Sequence, residues 1–163
     1  MHQTTLYQLM IRLLLAAGLG AAIGIEREYR QKAAGLRTNI LIALGSALFT
    51  TISLEMVPAG VDSTRVAAQL VTGIGFLGGG AILRSGRSIH GMTTAATIWV
   101  NAAVGLAAGA GLFAMAIVGT TITLAALALL RPVETYLERR AGNAPGVPRR
   151  RATDPPYDRD DHK

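Results

Sequence analysis

The sequence contains, at residues 70–83, the stretch Leu70-Val-Thr-Gly-Ile-Gly-Phe-Leu-Gly-Gly-Gly-Ala-Ile-Leu83, which combines five glycines with an apolar composition. No charged residue occurs between Arg65 and Arg84. Each glycine would destabilise a soluble helix by roughly 1 kcal/mol relative to alanine, whereas membrane helices use glycine to bring backbones close together. Residues 66–83 are therefore predicted to form a transmembrane helix. We expect it to be the middle helix of a bundle, with neighbours packed closely on its glycine face.

Three of these glycines also form a G-x-G-x-x-G pattern, at Gly73, Gly75 and Gly78. In dinucleotide-binding proteins this motif lies on the turn between a strand and a helix, with an acidic residue about 20 positions further on. Here the pattern lies inside a charge-free apolar segment. Close helix packing explains it better than nucleotide binding does.

The composition of the whole chain also favours a membrane protein. Half of the 163 residues are hydrophobic and 16% are charged, whereas soluble domains average about 25% charged residues. The absence of cysteine and the isolated positions of the three histidines argue against disulfides and a zinc site. Most of the basic residues flank apolar spans or lie near the C-terminus, which fits membrane topology better than nucleic-acid binding.

Hydropathy along the chain predicts an all-α membrane protein, a bundle of about five transmembrane helices within residues 6–131. The first span is long and is followed at once by charged residues, so it is predicted to be a retained helix and not a signal peptide. The boundary between the last two spans carries no charge, and one long broken helix is the alternative there. A charged tail at 132–163 is expected to be cytoplasmic and largely disordered. The predicted spans are 6–25, 39–54, 66–83, 92–108 and 112–130.

Basic residues predict the orientation of this bundle, because they accumulate on the cytoplasmic side of membrane proteins. Almost all of them lie in three segments, the loops 26–37 and 84–91 and the tail from 131 onward. Five spans place all three segments on one side. The N-terminus is then predicted to lie outside and the C-terminus in the cytoplasm.

The highest density of charge near the membrane lies between the first two spans. Its members are Glu26, Arg27, Glu28, Lys32 and Arg37. Glu26 and Arg30 have the i, i+4 spacing of helical ion pairs, and Glu28 and Lys32 have the same spacing. Thr38 is expected to cap the second helix through its hydroxyl. A topogenic and structural role is favoured, while ligand binding, such as a lipid phosphate held by Arg37 beside Thr38, stays open.

Few polar residues lie inside the predicted spans, and Gln69 and Asn101 are the main ones. An asparagine in a membrane bundle most often forms a hydrogen bond between helices, and only secondarily marks a transport pathway. No Asp or Glu lies at the centre of a span, and Mg²⁺ prefers carboxylate oxygens. The chain alone is therefore predicted to be a poor cation conduit. No catalytic triad or carboxylate pair is visible, so an enzyme is not expected.

Several blocks of sequence together resemble the signature of the MgtC/SapB family of membrane proteins. They occur in the family's order, and the resemblance covers about residues 6–130. It implies a multi-pass protein of the bacterial inner membrane that is linked to magnesium homeostasis and adaptation to low Mg²⁺. It also implies a short, SapB-like member without the soluble C-terminal domain of longer members. The blocks are Gly20-Ala-Ala-Ile-Gly-Ile-Glu-Arg-Glu28, Lys32-Ala-Ala-Gly-Leu-Arg-Thr38, Gly73-Ile-Gly-Phe-Leu-Gly-Gly-Gly-Ala-Ile-Leu83 and Gly91-Met-Thr-Thr-Ala-Ala96, followed by Trp99.

The resemblance also suggests functional residues and partners. The first group is the cytoplasmic cluster Glu26, Arg27, Glu28, Lys32, Gly35, Arg37 and Thr38. The second group is Gly75, Phe76, Gly78, Gly80, Thr93, Thr94 and Trp99. The expected partners are the lipid bilayer and either another membrane protein, which this chain would regulate, or a second copy. No cofactor is expected. The alternative function is a transporter or channel for Mg²⁺ or another solute, formed by a single chain or by an oligomer.

Overall fold

The computed structural model describes residues 5–56, 64–85 and 88–141, which form five helices and one short hairpin. The helices are α1 (Leu6–Tyr29), α2 (Leu36–Met56), α3 (Thr64–Gly80), α4 (Met92–Gly109) and α5 (Phe113–Ala141). The strands are β1 (Leu83–Ser85) and β2 (Ser88–His90), which pair antiparallel between α3 and α4. The chain divides into two compact units, Met1–Ala128 and Leu129–Lys163.

Within the described residues, four helices are long and apolar enough to cross a membrane: Leu6–Tyr29, Leu36–Met56, Met92–Gly109 and Phe113–Leu130. They confirm the prediction of an all-α, multi-pass membrane protein. α3 has 17 residues. At 1.5 Å per residue it is slightly shorter than a hydrocarbon core of about 30 Å.

The directions of the helices nevertheless require α3 to lead the chain back along the bundle. Gly105 of α4 lies against Ala43 of α2, and Gly109, one turn later, lies against Ala47. Because the residue numbers increase in the same direction along both helices, α2 and α4 run parallel. The segment that joins two parallel helices must return along their length, and here that segment contains α3. This geometry supports five crossings.

The centre of the bundle is α2, which packs between α1 and α4. A Cβ added at Gly20 of α1 would lie 2.8 Å from the Cβ of Ala43, and one added at Gly105 would lie 2.8 Å from its Cα. Neither distance leaves room for a methyl group. Small residues thus bring three helices to backbone distance, as is common in membrane bundles.

The glycine-rich helix α3 lies at the edge of the bundle, which corrects the prediction that it is the middle helix. Among the described residues, a Cβ added at Gly73, Gly75, Gly79 or Gly80 would meet no atom within 4 Å. One added at Gly78 would make an ordinary contact with the backbone oxygen of Ala95, at 3.6 Å. The described helices therefore lack the close packing predicted for this face. Glycine permits a close approach, but only the position of a neighbour decides whether one occurs.

The region around the hairpin corrects two predicted boundaries. α3 ends at Gly80, so the predicted span 66–83 is too long by the residues that lead into β1. The predicted loop 84–91 contains paired strands, in which Arg84 faces Ile89. Gly91, which follows β2, approaches the backbone of Ala81 closely. Only glycine suits this position, because its φ is +90 and a Cβ there would clash with the Ala81 carbonyl.

The other boundaries shift in smaller ways. α2 begins at Leu36, so Thr38 lies inside its first turn and is not the cap predicted from sequence. α4 and α5 are separate helices joined by a tight turn with Gly111 at φ +79, which excludes one long broken helix. α5 continues to Ala141 through Pro132. The prediction of a disordered tail concerns mainly residues 142–163, which lie outside the described residues.

Single cysteines test the number of crossings and the orientation. The chain contains no cysteine, so each introduced thiol is a unique probe. Because α3 lies between residues 63 and 85, five crossings place them on opposite sides of the membrane. We expect a membrane-impermeant thiol reagent to label Ser85→Cys from the cytoplasmic side and Ser63→Cys from outside. Labelling of both variants from the same side would contradict five crossings.

Candidate functional site

The last turn of α1 carries the first part of the charged cluster. The Glu26 carboxylate accepts hydrogen bonds from Nε of Arg27 and from Nε of Arg30, and the pair with Arg30 has the predicted i, i+4 spacing. The Arg27 side chain is only 3% exposed. A buried charge without a counter-charge is strongly destabilising. Glu26 therefore neutralises a buried arginine.

Glu28 makes a different contact from the one predicted. Its Oε2 accepts a hydrogen bond from the backbone N–H of Leu36 at 3.0 Å, and no ion pair with Lys32 is found among the described residues. α1 ends at Tyr29, so Glu28 and Lys32 do not share a helix. A carboxylate at the start of α2 stabilises its unpaired N–H groups and its positive end. Glu28 thus ties the end of α1 to the start of α2.

Gly35 makes room for this contact. A Cβ added at Gly35 would clash with Oε2 of Glu28. The adjacent loop residue Ala34 is buried. The matched motif around Gly35 therefore encodes a close turn between two helices, which explains why a glycine precedes α2.

The remaining members of the cluster, Lys32, Arg37 and Thr38, have exposed side chains. Arg37 makes no hydrogen bond or ion pair with any other described residue. It lies in the first turn of α2, where the helix dipole disfavours a cation. An anion from outside the chain would find both the guanidinium and the helix end favourable there.

The second predicted group is not gathered into one site. Phe76 on α3 is 84% exposed, and Trp99 on α4 is half exposed and lines a small apolar cavity of about 90 Å³ between these helices. On α4, Thr93 is exposed and Thr94 is buried. Gly75 and Gly80 lie on α3 in the open surroundings described above, and Gly78 lies there in ordinary contact with Ala95. Gln69 is exposed on α3.

A buried polar pair links α2 to α4. Nδ2 of Asn101 donates to the backbone oxygen of Asn39 at 2.7 Å and to its Oδ1 at 3.1 Å, and both side chains are fully buried. Asn39 in turn donates to the carbonyls of Ala34 and Gly35. Asn101 thus has the interhelical role expected for it. Sequence reasoning misses Asn39, although its four-residue spacing from Ala43 and Ala47 was a visible signal.

The opposite end of the bundle has a second polar junction, which sequence reasoning also misses. Nη1 of Arg12 donates to the backbone oxygen of Gly109 at 3.0 Å, and Oγ1 of Thr51 donates to the same oxygen at 3.3 Å. Since this carbonyl ends α4, a nearby cation interacts favourably with the helix dipole. Arg12 and Thr51 thereby hold α1 and α2 against the end of α4.

The part of the chain that the structure describes contains no group of three or more His, Cys, Asp or Glu side chains placed to hold a metal ion. Its polar features are the ion-paired cluster, the asparagine pair and the Arg12 junction.

Comparison with known proteins places these features in a family. The chain is 50% identical to Protein MgtC of Brucella abortus strain 2308 over 123 residues, and this alignment covers 76% of the chain and 51% of that protein. It is 48% identical over 127 residues to YhiD of Escherichia coli K12, named as a proposed magnesium transporter, which covers 74% of this chain and 59% of that one. An uncharacterized Synechocystis protein is 47% identical over 131 residues, covering 80% and 56% respectively.

The chain thus spans between half and three fifths of the length of these relatives. No solved structure matches it. The model of the MgtC family matches residues 13–136, a stretch that includes the cluster, the asparagine pair and α3. On this match and on its apolar helices, the chain belongs to the MgtC family of multi-pass bacterial membrane proteins.

Proposed function

We propose that this chain is a regulator embedded in the inner membrane, which binds another membrane protein and acts in magnesium homeostasis. The name of the relative YhiD supports the link to magnesium. The chain spans only part of its relatives, and the packing of its own helices supports the proposed mode of action.

The observation that carries the proposal is the close packing of α1, α2 and α4. Gly20 and Gly105 both contact Ala43 at backbone distance, and Gly109 contacts Ala47 in the same way. At these positions the helices leave no room for a water molecule between them. Ion passage would require oxygen ligands and room for the waters that Mg²⁺ keeps. A centre packed in this way favours a protein that acts through its outer surfaces.

Large outer surfaces are available for a partner. The first part of α5 belongs to the compact unit Met1–Ala128. There Ala116 and Thr120 are buried, whereas Met115, Val118 and Ile122 are more than half exposed. Phe76 projects from α3. In a membrane such side chains contact either lipid or another helix. These faces, together with the exposed Arg37, are the surfaces that a membrane partner would use.

The second candidate function is a transporter or channel formed between subunits. One observation favours it, namely the glycine face of α3. Most of its glycines have no neighbour within 4 Å in the described part of the chain, and glycine faces suit close contact with another helix. A second copy that packed there would create a new interface between bundles.

Site-specific photocrosslinking distinguishes these functions. We expect a photoreactive residue at Phe76 to capture a different membrane protein in cells, because this side chain is exposed beside the open face of α3. Leu14 on α1 is a matched control, since it is 67% exposed but lies on another helix. A product of twice the mass of the chain, and no other, would favour the oligomeric channel. Equal capture from Phe76 and Leu14 would contradict a specific partner surface on α3.

A further inference from the structure

A groove of about 480 Å³ runs between α2 and α3. Its size falls within the roughly 300–1,000 Å³ of pockets that bind small molecules. Its lining is almost entirely apolar and includes Leu41, Gly45, Phe49, Leu70, Gly73 and Leu77. Several of these side chains are also exposed, with Leu41 at 66% and Phe49 at 62%. The groove therefore opens sideways, toward the acyl chains of a bilayer.

One end of the groove is basic. Arg37 and Thr38 lie one helical turn before Leu41 and Ile42, which line the groove. Both side chains are exposed, and Arg37 has no partner among the described residues. Glu28 already accepts the N–H of Leu36, whereas the guanidinium of Arg37 can still bind an anion. Arginine suits phosphate in particular, because its planar fork can donate two parallel hydrogen bonds.

The other end of the groove also carries an arginine. Arg65 precedes Val66 there and is exposed. α3 begins and α2 ends at this side, so the positive dipole end of one helix is offset by the negative dipole end of the other. Each end of the groove thus has an exposed arginine, and at the Arg37 end the exposed hydroxyl of Thr38 supplies a second donor.

We propose that this groove binds one phospholipid, with an acyl chain along the apolar lining and the phosphate against Arg37 and Thr38. A lipid matches both halves of the site at once. Gly45 and Gly73 leave the floor of the groove free of side chains, and a Cβ added at either would meet nothing within 4 Å. A polypeptide helix would fill the apolar part but would leave the guanidinium without an anion. The inference goes beyond the proposed function and does not depend on it.

Native mass spectrometry of the purified full chain tests this site. With phosphatidylglycerol and phosphatidylcholine supplied together, we expect the wild type to retain one phospholipid and to prefer the anionic one. Gly45→Leu should lose the retained lipid, because its side chain fills the groove, and Gly73→Leu repeats the test from α3. Gly18→Leu is the control, since Gly18 on α1 also has nothing within 4 Å. It should retain the lipid.

Charge variants test the headgroup end. Arg37→Gln should lower occupancy by phosphatidylglycerol about fivefold, the effect of one basic residue at a membrane surface, while Arg65→Gln should leave it unchanged. Inorganic phosphate should not displace the lipid. Retention of the lipid by both groove variants would overturn the proposal, as would equal effects of Arg37→Gln and Arg65→Gln. A dimer that Gly45→Leu dissociates, with lipid occupancy unchanged, would instead assign the groove to a second copy.

Discussion

Gly105→Ala is expected to destabilise the bundle by about 1–3 kcal/mol, the usual effect of overpacking a tight core, and to lower the yield of folded protein. The added Cβ would lie 2.8 Å from the Cα of Ala43 and would clash with its backbone oxygen. Backbone atoms cannot rotate away as a flexible side chain can. Relief would require α2 and α4 to separate, and this would also lengthen the hydrogen bond of Asn101 to the Asn39 backbone, 2.7 Å in the wild type.

Gly75→Ala is the matched control for this prediction. It makes the same chemical change in a helix, but its Cβ would meet nothing within 4 Å. Alanine favours a helix over glycine by up to about 1 kcal/mol, so the control should be as stable as the wild type or slightly more stable. Thermal unfolding of both variants in detergent measures the difference. A destabilised Gly75→Ala beside an unchanged Gly105→Ala would show that the central helices are wrongly identified.

This pair of glycines also shows how far sequence can predict the fold. Hydropathy and charge are properties of a segment alone, so they predict the helices and their order along the chain. The partner of a glycine is a tertiary property. The five glycines of α3 are the strongest small-residue signal in the sequence, yet the closest glycine contacts between two helices are made by Gly105 and Gly109, whose partners lie more than 60 positions away.

The charged cluster gives the same lesson at a smaller scale. The pair of Glu26 with Arg30 follows from helical spacing and is present. The spacing of Glu28 and Lys32 is identical, but the helix ends between them, with Gln31 at φ 52. Where a helix ends depends on the turn that follows it. The contact of Glu28 with the start of α2 therefore could not be predicted from helical periodicity.

Arg37→Glu is expected to abolish growth support in low magnesium while membrane insertion stays intact. Because Arg37 is exposed and unpaired among the described residues, reversing its charge breaks no contact that holds the described helices together. Arg65→Glu is the control, since Arg65 is also exposed in the first turn of a helix. Growth in low-magnesium medium at matched expression is the measurement. Normal growth with Arg37→Glu would leave the cluster with only topogenic and structural roles.

Two further variants show what the loss of growth means. Glu26→Lys removes the counter-charge of the buried Arg27, so it should lower the amount of folded protein, unlike Arg37→Glu. The sequence alone gives no reason to expect different effects from reversing the charge of Glu26 and that of Arg37. Gly45→Leu fills the groove without changing Arg37. Growth with Gly45→Leu but not with Arg37→Glu would show that the guanidinium acts on a partner independently of the groove.

Magnesium flux into proteoliposomes decides most directly whether the packed bundle acts through its surfaces or conducts ions. The purified full chain is reconstituted with a Mg²⁺-sensitive dye inside the vesicles, beside vesicles without protein. Because α1, α2 and α4 meet at backbone distance, we predict the same slow Mg²⁺ entry in both. Specific, saturable Mg²⁺ flux that requires the protein would contradict the proposed regulator function and would show that the protein is a transporter.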